Sequence, residues 1–308
     1  MNRRSFITLT SAAALSVQNG AAATTEIVDT HIHLFDPSRP QGVPWPDKAN
    51  TVLYQPALPE RYKKISGPLG ITGAIVVEAS PWLEDNQWVL DVTKDEPLIL
   101  GLVGNLEPGK PEFAKQLERF HKDRRFLGIR YGNLWGRDLA AQISRAEFVQ
   151  DMKLLAKAGL SLDTANQNPK LISAVVRLTD AVPDLRVVID HLPQMRTPEQ
   201  PDMLKQYRQD LRTLGKRPPV YVKLSEVFRR VDGQVPRDLS NYRETLDDIY
   251  AIFGEDRVLY GSDWPNSDTW RPFGDGLKLM QEYFATKSPA AAEKYFWKNS
   301  VAAYRWKK

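Results

Sequence analysis

His31 and His33 stand two residues apart in the stretch VDTHIHLFDP, with Asp29 two residues earlier, and they make up half of the four histidines in the chain. Side chains two apart on a strand share a face, so two neutral imidazoles at this spacing can hold one metal ion or one substrate oxygen between them. Asp29 falls on that same face, where a carboxylate can orient an imidazole from behind. An H-x-H pair is equally at home as two histidines satisfied within a loop, and only its place in the fold separates the two readings. Other residues with chemical capacity close short apolar runs: Glu78 after GAIVV, Arg130 after FLGI, Asp163 and Asn166 after GLSL, Asp190 and His191 after LRVVI, Lys223 and Ser225 in VYVKLS, and Asp263 in RVLYGSDW. Asp263 either caps the turn before Trp264 and Pro265 or takes a proton from water, its pKa set by burial and nearby charge. His191 is either a core histidine bonded to backbone or a third imidazole of the group. Arg130 and Lys223 either tie strands together or meet a carboxylate or a developing oxyanion. His121, in a charged helical segment, reads as a solvated face residue.

The runs that carry these residues recur about eight times between Glu26 and Trp264, each bounded by Gly, Pro, Asn or charge, and several are apolar on both faces as covered parallel strands should be. Between them lie segments of helical spacing, such as PEFAKQLERFHK, SRAEFVQDMKLLAKAG, PKLISAVVRLTDAV and YRETLDDIYAIFG. Asp85, Ser144 and Asn168 suit helix N-caps, Pro111 a first turn, and Gly159 and Gly254 helix ends. Strand then helix, repeated about eight times in about 280 residues, predicts an α/β fold, a single (β/α)8 TIM barrel with loop insertions over residues 24–308. A doubly wound open sheet is the alternative, but no glycine-rich phosphate loop follows any strand. The Pro-rich piece from Pro37 to Pro59 and the stretch from Pro193 to Pro219 read as loop insertions, the first covering the barrel mouth. In such a barrel the loops leaving the strands' C-terminal ends converge, which gathers His31, His33, Glu78, Arg130, His191, Lys223 and Asp263 on one face.

Composition narrows the partners. The chain has no cysteine, which excludes thiol nucleophiles and thiolate-held metals, so a metal here is held by imidazole and oxygen. Lys and Arg exceed Asp and Glu by 42 to 38 with no basic run, which argues against a nucleic-acid partner. Residues 1–23 read as a signal peptide: Arg3 and Arg4 precede a short apolar stretch from Phe6 to Val17 and an ending of small residues at Ala21–Ala23. The paired arginines resemble those of a twin-arginine export signal, so the mature protein is expected in a bacterial periplasm, with no membrane association after export. Cleavage after Ala23 removes no acid and two arginines, leaving the mature chain nearly neutral.

Taken together, DTHIHLFDP, GAIVVEAS, FLGIRY, VVIDHL, VYVKLS, RVLYGSDWP and the closing KNSVAAYRW resemble the lactonase group of the amidohydrolase superfamily, from about Ile27 to the C-terminus. The resemblance implies that Asp263 is the strand-eight acid that activates water. It implies that His31, His33 and His191, with Asp263, bind one divalent metal, Zn or Mn, or in metal-independent members bind the lactone itself. Arg130 and Lys223 match substrate-side cations, and Glu78 is a further oxygen ligand or substrate contact. Two-metal members of the superfamily carry another histidine on strand five and a carboxylated lysine on strand four. Here those strands offer Asp163 or Asn166 and Arg130, which argues against a binuclear centre.

The expected reaction is hydrolysis of a lactone or related small carboxylated substrate: Asp263 deprotonates water, and the metal or the histidines with Arg130 stabilise the oxyanion. There is no G-x-S-x-G elbow to supply a nucleophilic serine. A metal-dependent decarboxylase of the same superfamily and a non-catalytic periplasmic binding protein are the alternatives. Trp45, Trp82, Trp135 and Trp264 fall in the mouth loops, where an indole can stack on a sugar ring or anchor a loop. The cations Arg130, Arg137 and Lys223 lean towards an acidic or polyhydroxylated lactone. Oligomeric state is not legible in the sequence.

Overall fold

The computed structural model describes residues 26–307. Residues 1–23, read above as an export signal, lie outside the described residues. Eight parallel strands follow one another in chain order: β1 Val28–Ile32, β2 Gly73–Val77, β3 Ile99–Gly104, β4 Phe126–Arg130, β5 Ser161–Asp163, β6 Arg186–Ile189, β7 Val220–Lys223 and β8 Val258–Leu259. Every strand is buried along its length, which is why these segments are near-continuously apolar rather than alternating. Helices lie between consecutive strands: α1 Pro59–Ser66, α2 Leu83–Val92, α3 Phe113–His121, α4 Leu139–Gln142, α5 Ala146–Lys157, α6 Pro169–Ala181, α7 Pro201–Gly215 and α8 Ser240–Phe253. This is the (β/α)8 barrel expected from the strand count.

Closure between β8 and β1 is made by backbone beyond the short β8. Thr30 N donates to Tyr260 O at 3.0 Å, Asp263 N to His31 O at 2.8 Å and His33 N to Trp264 O at 2.7 Å. The chains approach so closely here that a Cβ on Gly261 would lie 2.9 Å from His31 Cβ, so glycine is required by contact rather than by conformation. Asp29 belongs to this seam. Its carboxylate accepts from Ser262 N at 2.8 Å, His31 N at 3.2 Å and the Tyr62 hydroxyl at 2.8 Å, so it ties backbone together and does not orient an imidazole as its strand face had suggested.

After β8 the chain adds α9 Phe273–Phe284, α10 Pro289–Glu293 and, past a single π turn, α11 Asn299–Tyr304. Tyr304 and Trp306 pack with Val28, Ile75, Val77, Val103, Val188 and Leu259 in an apolar cluster separate from the larger one that joins strands to helices. The Tyr304 hydroxyl reaches up to Asp163 Oδ2 at 2.6 Å, linking this floor to the polar layer above it.

Several local expectations are corrected. The stretch from Pro193 to Pro219 is not a loop insertion, because it contains the fifteen-residue α7, whose buried face is only Tyr207, Asp210, Leu211, Leu214 and Gly215. Asn168 caps α6, accepting from Leu171 N, but Asp85 lies inside the first turn of α2 and Ser144 precedes α5 without capping it. Asp85 is instead held by Arg39 at 2.9 Å. The segment from Pro37 onward does cross the mouth: Phe35 and Ala57 exchange backbone hydrogen bonds at its base, and Trp45 at its far side packs 5.2 Å from the Phe35 ring and 5.5 Å from the His33 ring.

Candidate active site

At the C-terminal ends of the strands, three imidazoles converge on one carboxylate oxygen. Asp263 Oδ1 lies 3.1 Å from His33 Nε2, 3.4 Å from His31 Nε2 and 3.6 Å from His191 Nε2, while Asp263 Oδ2 accepts from Asn266 Nδ2 at 2.8 Å. All four predicted residues from β1, the end of β6 and the end of β8 therefore meet. His33, His191 and Asp263 form the foot of an open-mouthed hollow walled by Trp45, Trp135, Glu78, Arg130, Asn166, Gln167, Gln194, Glu226 and Asn266, and His31 is fully buried beside them.

The backbone at this rim is unusual. Among the described residues, seven that are not glycine have positive φ, and five of them, Trp135, Asn166, His191, Glu226 and Asp263, line the hollow. Each follows a different strand from β4 to β8. The left-handed conformation carries a conformational cost that the packing around each residue must hold.

Burial and charge set the protonation of the group. Burial alone would raise the Asp263 pKa, but His191, His33 and His31 outweigh it and hold the carboxyl well below its usual range. His191 is lowered to about 4, chiefly by burial, against the pull of Asp263 and Asp190. Burial also lowers His31, with the charge of Lys223 adding to it. At neutral pH the site therefore presents an ionised Asp263 among neutral His31 and His191. Burial, then the nearby Asp263 charge, pushes Glu226 well above the usual range, and burial raises Glu78 against the opposing charges of Arg130 and Arg137. Arg130 keeps its proton despite burial, since Asp190, Glu78 and Asp263 surround it.

This donor set suits a divalent cation. His31, His33 and Asp263 bring ligand atoms within 4.8 Å of one another, as do His191, Glu226 and Asp263. His33 Nδ1 faces the Val77 carbonyl at 3.0 Å, so that nitrogen carries the hydrogen and Nε2 turns its lone pair to Asp263. A lone pair 3.1 Å from a carboxylate oxygen is stable only with a proton or a cation between them, and His31 Nε2 beside it is buried without a hydrogen-bond partner. Neutral imidazole and carboxylate are ligands of zinc-type ions.

Two predicted site residues lie elsewhere. Lys223 has no exposed surface and sits below the histidines, between Asp163 and Asp190, so it does not face the hollow as a substrate-side cation. Trp264 is also fully buried, against Tyr62 and under the Arg61 guanidinium, and is a core residue rather than a mouth aromatic. Alternation along a strand fixes the face of a side chain but not its height in the barrel, which is why Lys223 was misread. Of the other tryptophans, Trp135 donates to Glu78 at 3.0 Å, whereas Trp82 is exposed away from the hollow. Arg137 turns aside to Glu107. Sequence reasoning missed Glu226 and Asn266; the signal was present in the acid directly after Lys223-Leu-Ser and in the polar residue three after Asp263.

The sequence and the fold resemble those of known proteins. The family model for amidohydrolases covers residues 28–306. An L-fucono-1,5-lactonase of Burkholderia ambifaria is 24% identical over 80% of this chain and 83% of its own length, and one of Burkholderia multivorans is 24% identical over 89% and 94%. A crystal structure of a Burkholderia multivorans amidohydrolase with bound zinc shares the fold at a TM-score of 0.80 and 21% identity, covering 92% of this chain and 100% of that one. With its model matched from β1 to the residues that close the barrel floor, the chain belongs to the amidohydrolase family.

Proposed function

We propose that this protein hydrolyses a lactone, with water deprotonated by Asp263 attacking the ring carbonyl. The observation that carries this reading is the single Asp263 oxygen within 3.6 Å of three imidazole Nε2 atoms at the foot of a hollow. Family membership and the two L-fucono-1,5-lactonase relatives support ring opening as the reaction. In this reading Asp263 takes one proton from water as the new C–O bond forms, the carbonyl oxygen gathers negative charge towards Arg130 and the histidines, and the ring C–O bond then breaks. Asp263 returns its proton to the leaving alkoxide. One proton of the water thus ends on the product hydroxyl and the other on the product carboxyl, whose ionisation on release acidifies the medium. A divalent ion held by His31, His33, His191 and Asp263, with Glu226 at hand, would supply Lewis acidity and a more acidic water.

Of the two classes the cations had suggested, acidic or polyhydroxylated, the lining favours a neutral, polyhydroxylated lactone. With Lys223 buried and Arg137 turned away, Arg130 is the only guanidinium or ammonium group among the lining residues, and the ionised Asp263 faces the same space. Asn166, Gln167, Gln194 and Asn266 offer amides to hydroxyl groups, and the Trp45 and Trp135 rings offer flat apolar faces to a sugar ring.

A pH-indicator assay of the purified protein over sugar-derived and aromatic-derived lactones tests the reading. Acid release on a sugar lactone, lost by at least about 10²-fold in Asp263→Asn at unchanged circular dichroism, is the expected result. Carbon dioxide release from a carboxylated substrate in place of acid formation would replace it with a decarboxylase, and equal turnover by Asp263→Asn would remove Asp263 from the chemistry. We further propose that the reaction takes place in the periplasm, on the strength of residues 1–23 alone. Replacing Arg3 and Arg4 together by lysine should then hold the protein in the cytoplasm, as cell fractionation would read.

A further inference from the structure

The proposed reaction makes no use of Lys223, yet this lysine is in contact with the site from below. Its Nζ lies 2.8 Å from Asp163 Oδ2, 2.9 Å from Asp190 Oδ1 and 3.1 Å from His31 Nδ1, all at positions without solvent exposure. An amine held at these distances between two buried carboxylates is an ammonium. An ammonium donates and has nothing with which to accept. His31 Nδ1 must therefore be the acceptor, and a neutral imidazole with a bare Nδ1 carries its one hydrogen on Nε2. That nitrogen points at Asp263 Oδ1, 3.4 Å away. His33 is built the other way round, because its Nδ1 faces the Val77 carbonyl and must bear a hydrogen.

We infer that Lys223 is a positioning residue that fixes the tautomer of His31, so that the two histidines of the H-x-H pair differ at Nδ1: bare in His31, hydrogen-bearing in His33. The pair is then not two equivalent ligands. His31 carries its N–H on the nitrogen that points towards Asp263 Oδ1. A cation that binds through His31 Nε2 has to displace that hydrogen, and Lys223 opposes the change because Nδ1–H and the ammonium would be two donors face to face. This inference rests on the contacts around His31 and holds whichever substrate the site takes.

The test is long-range 1H–15N correlation spectroscopy on metal-stripped protein labelled at histidine. Four histidines make the spectrum assignable by single replacements, beginning with the remote His121→Gln. The expected result is a hydrogen on Nε2 and none on Nδ1 of His31, with the reverse condition at Nδ1 of His33. A hydrogen on His31 Nδ1 would overturn the inference. The charge-balanced double variant Lys223→Met with Asp163→Asn removes the donor, and in it the His31 hydrogen should move to Nδ1, which lies 3.6 Å from Asp190 Oδ1. An unchanged tautomer in the folded double variant would remove Lys223 from the role. Should that variant fail to fold, the wild-type spectrum alone still decides whether the tautomer is the one inferred.

Discussion

His191 illustrates how one buried imidazole sets the acid limit of the whole site. Its pKa is lowered to about 4 by burial, against an ordinary value of 6.5, so it stays neutral through the weakly acidic range. Neutral His191 beside ionised Asp263 is the form that the proposed reaction needs, and kcat/KM should hold level from neutral pH to about 5 and fall as pH drops through about 4. Stability moves in the same direction. The unfolded chain binds a proton at His191 below 6.5 while the folded chain does not, so stability increases with pH between about 4 and 6.5 and is lost as pH falls through that window. Asp263, held low in the folded state, adds a further loss below its ordinary value of 3.8. Rate profiles and denaturant titrations at a series of pH values read the two effects separately. At this scale the sequence was informative where type and strand position sufficed, as for His31, His33, His191, Asp263, Glu78 and Arg130. It misled where depth decided, as for Lys223 and Trp264, whose neighbours come from β5, β6 and α1 and leave no local signature.

Among the elements, the seam between β1 and β8 bears most on the site, because it carries His31, His33 and Asp263 on two segments joined by backbone bonds, by the Asp29 carboxylate and by the Thr30 hydroxyl, which donates to Tyr260 O at 2.6 Å. Asp29 accepts three hydrogen bonds there, two of them buried. Asp29→Ala leaves two N–H groups and the Tyr62 hydroxyl without an acceptor, at about 1–3 kcal/mol each. The expected loss is about 3 kcal/mol or more in a urea titration. Activity should fall further than the folded fraction does, since Asp263 N is anchored to His31 O in the same seam. By contrast, Asp29→Asn keeps acceptor capacity and should retain more of both. The strands themselves were legible because burial on both faces leaves continuous apolar runs. Helix α7 was not, since most of its surface is polar or charged and its buried stripe is short and includes Asp210. Caps were legible only where the side chain bonds a free N–H, as Asn168 does.

For the molecule as a whole, the barrel followed from counting repeats, and the gathering of the site followed from the barrel, since strand ends far apart in sequence share one rim. What no count could show is that the backbone turns left-handed after five consecutive strands, at Trp135, Asn166, His191, Glu226 and Asp263. A side chain in that conformation costs roughly 1–2 kcal/mol that glycine would not. Glu226→Gly should therefore raise the stability of the protein by about 1 kcal/mol and lower its turnover, a pair of changes that thermal unfolding and the lactone assay would measure on one sample. Selection for heat tolerance alone would erode this rim one glycine at a time, so a thermostable descendant that keeps all five side chains has been held to its chemistry.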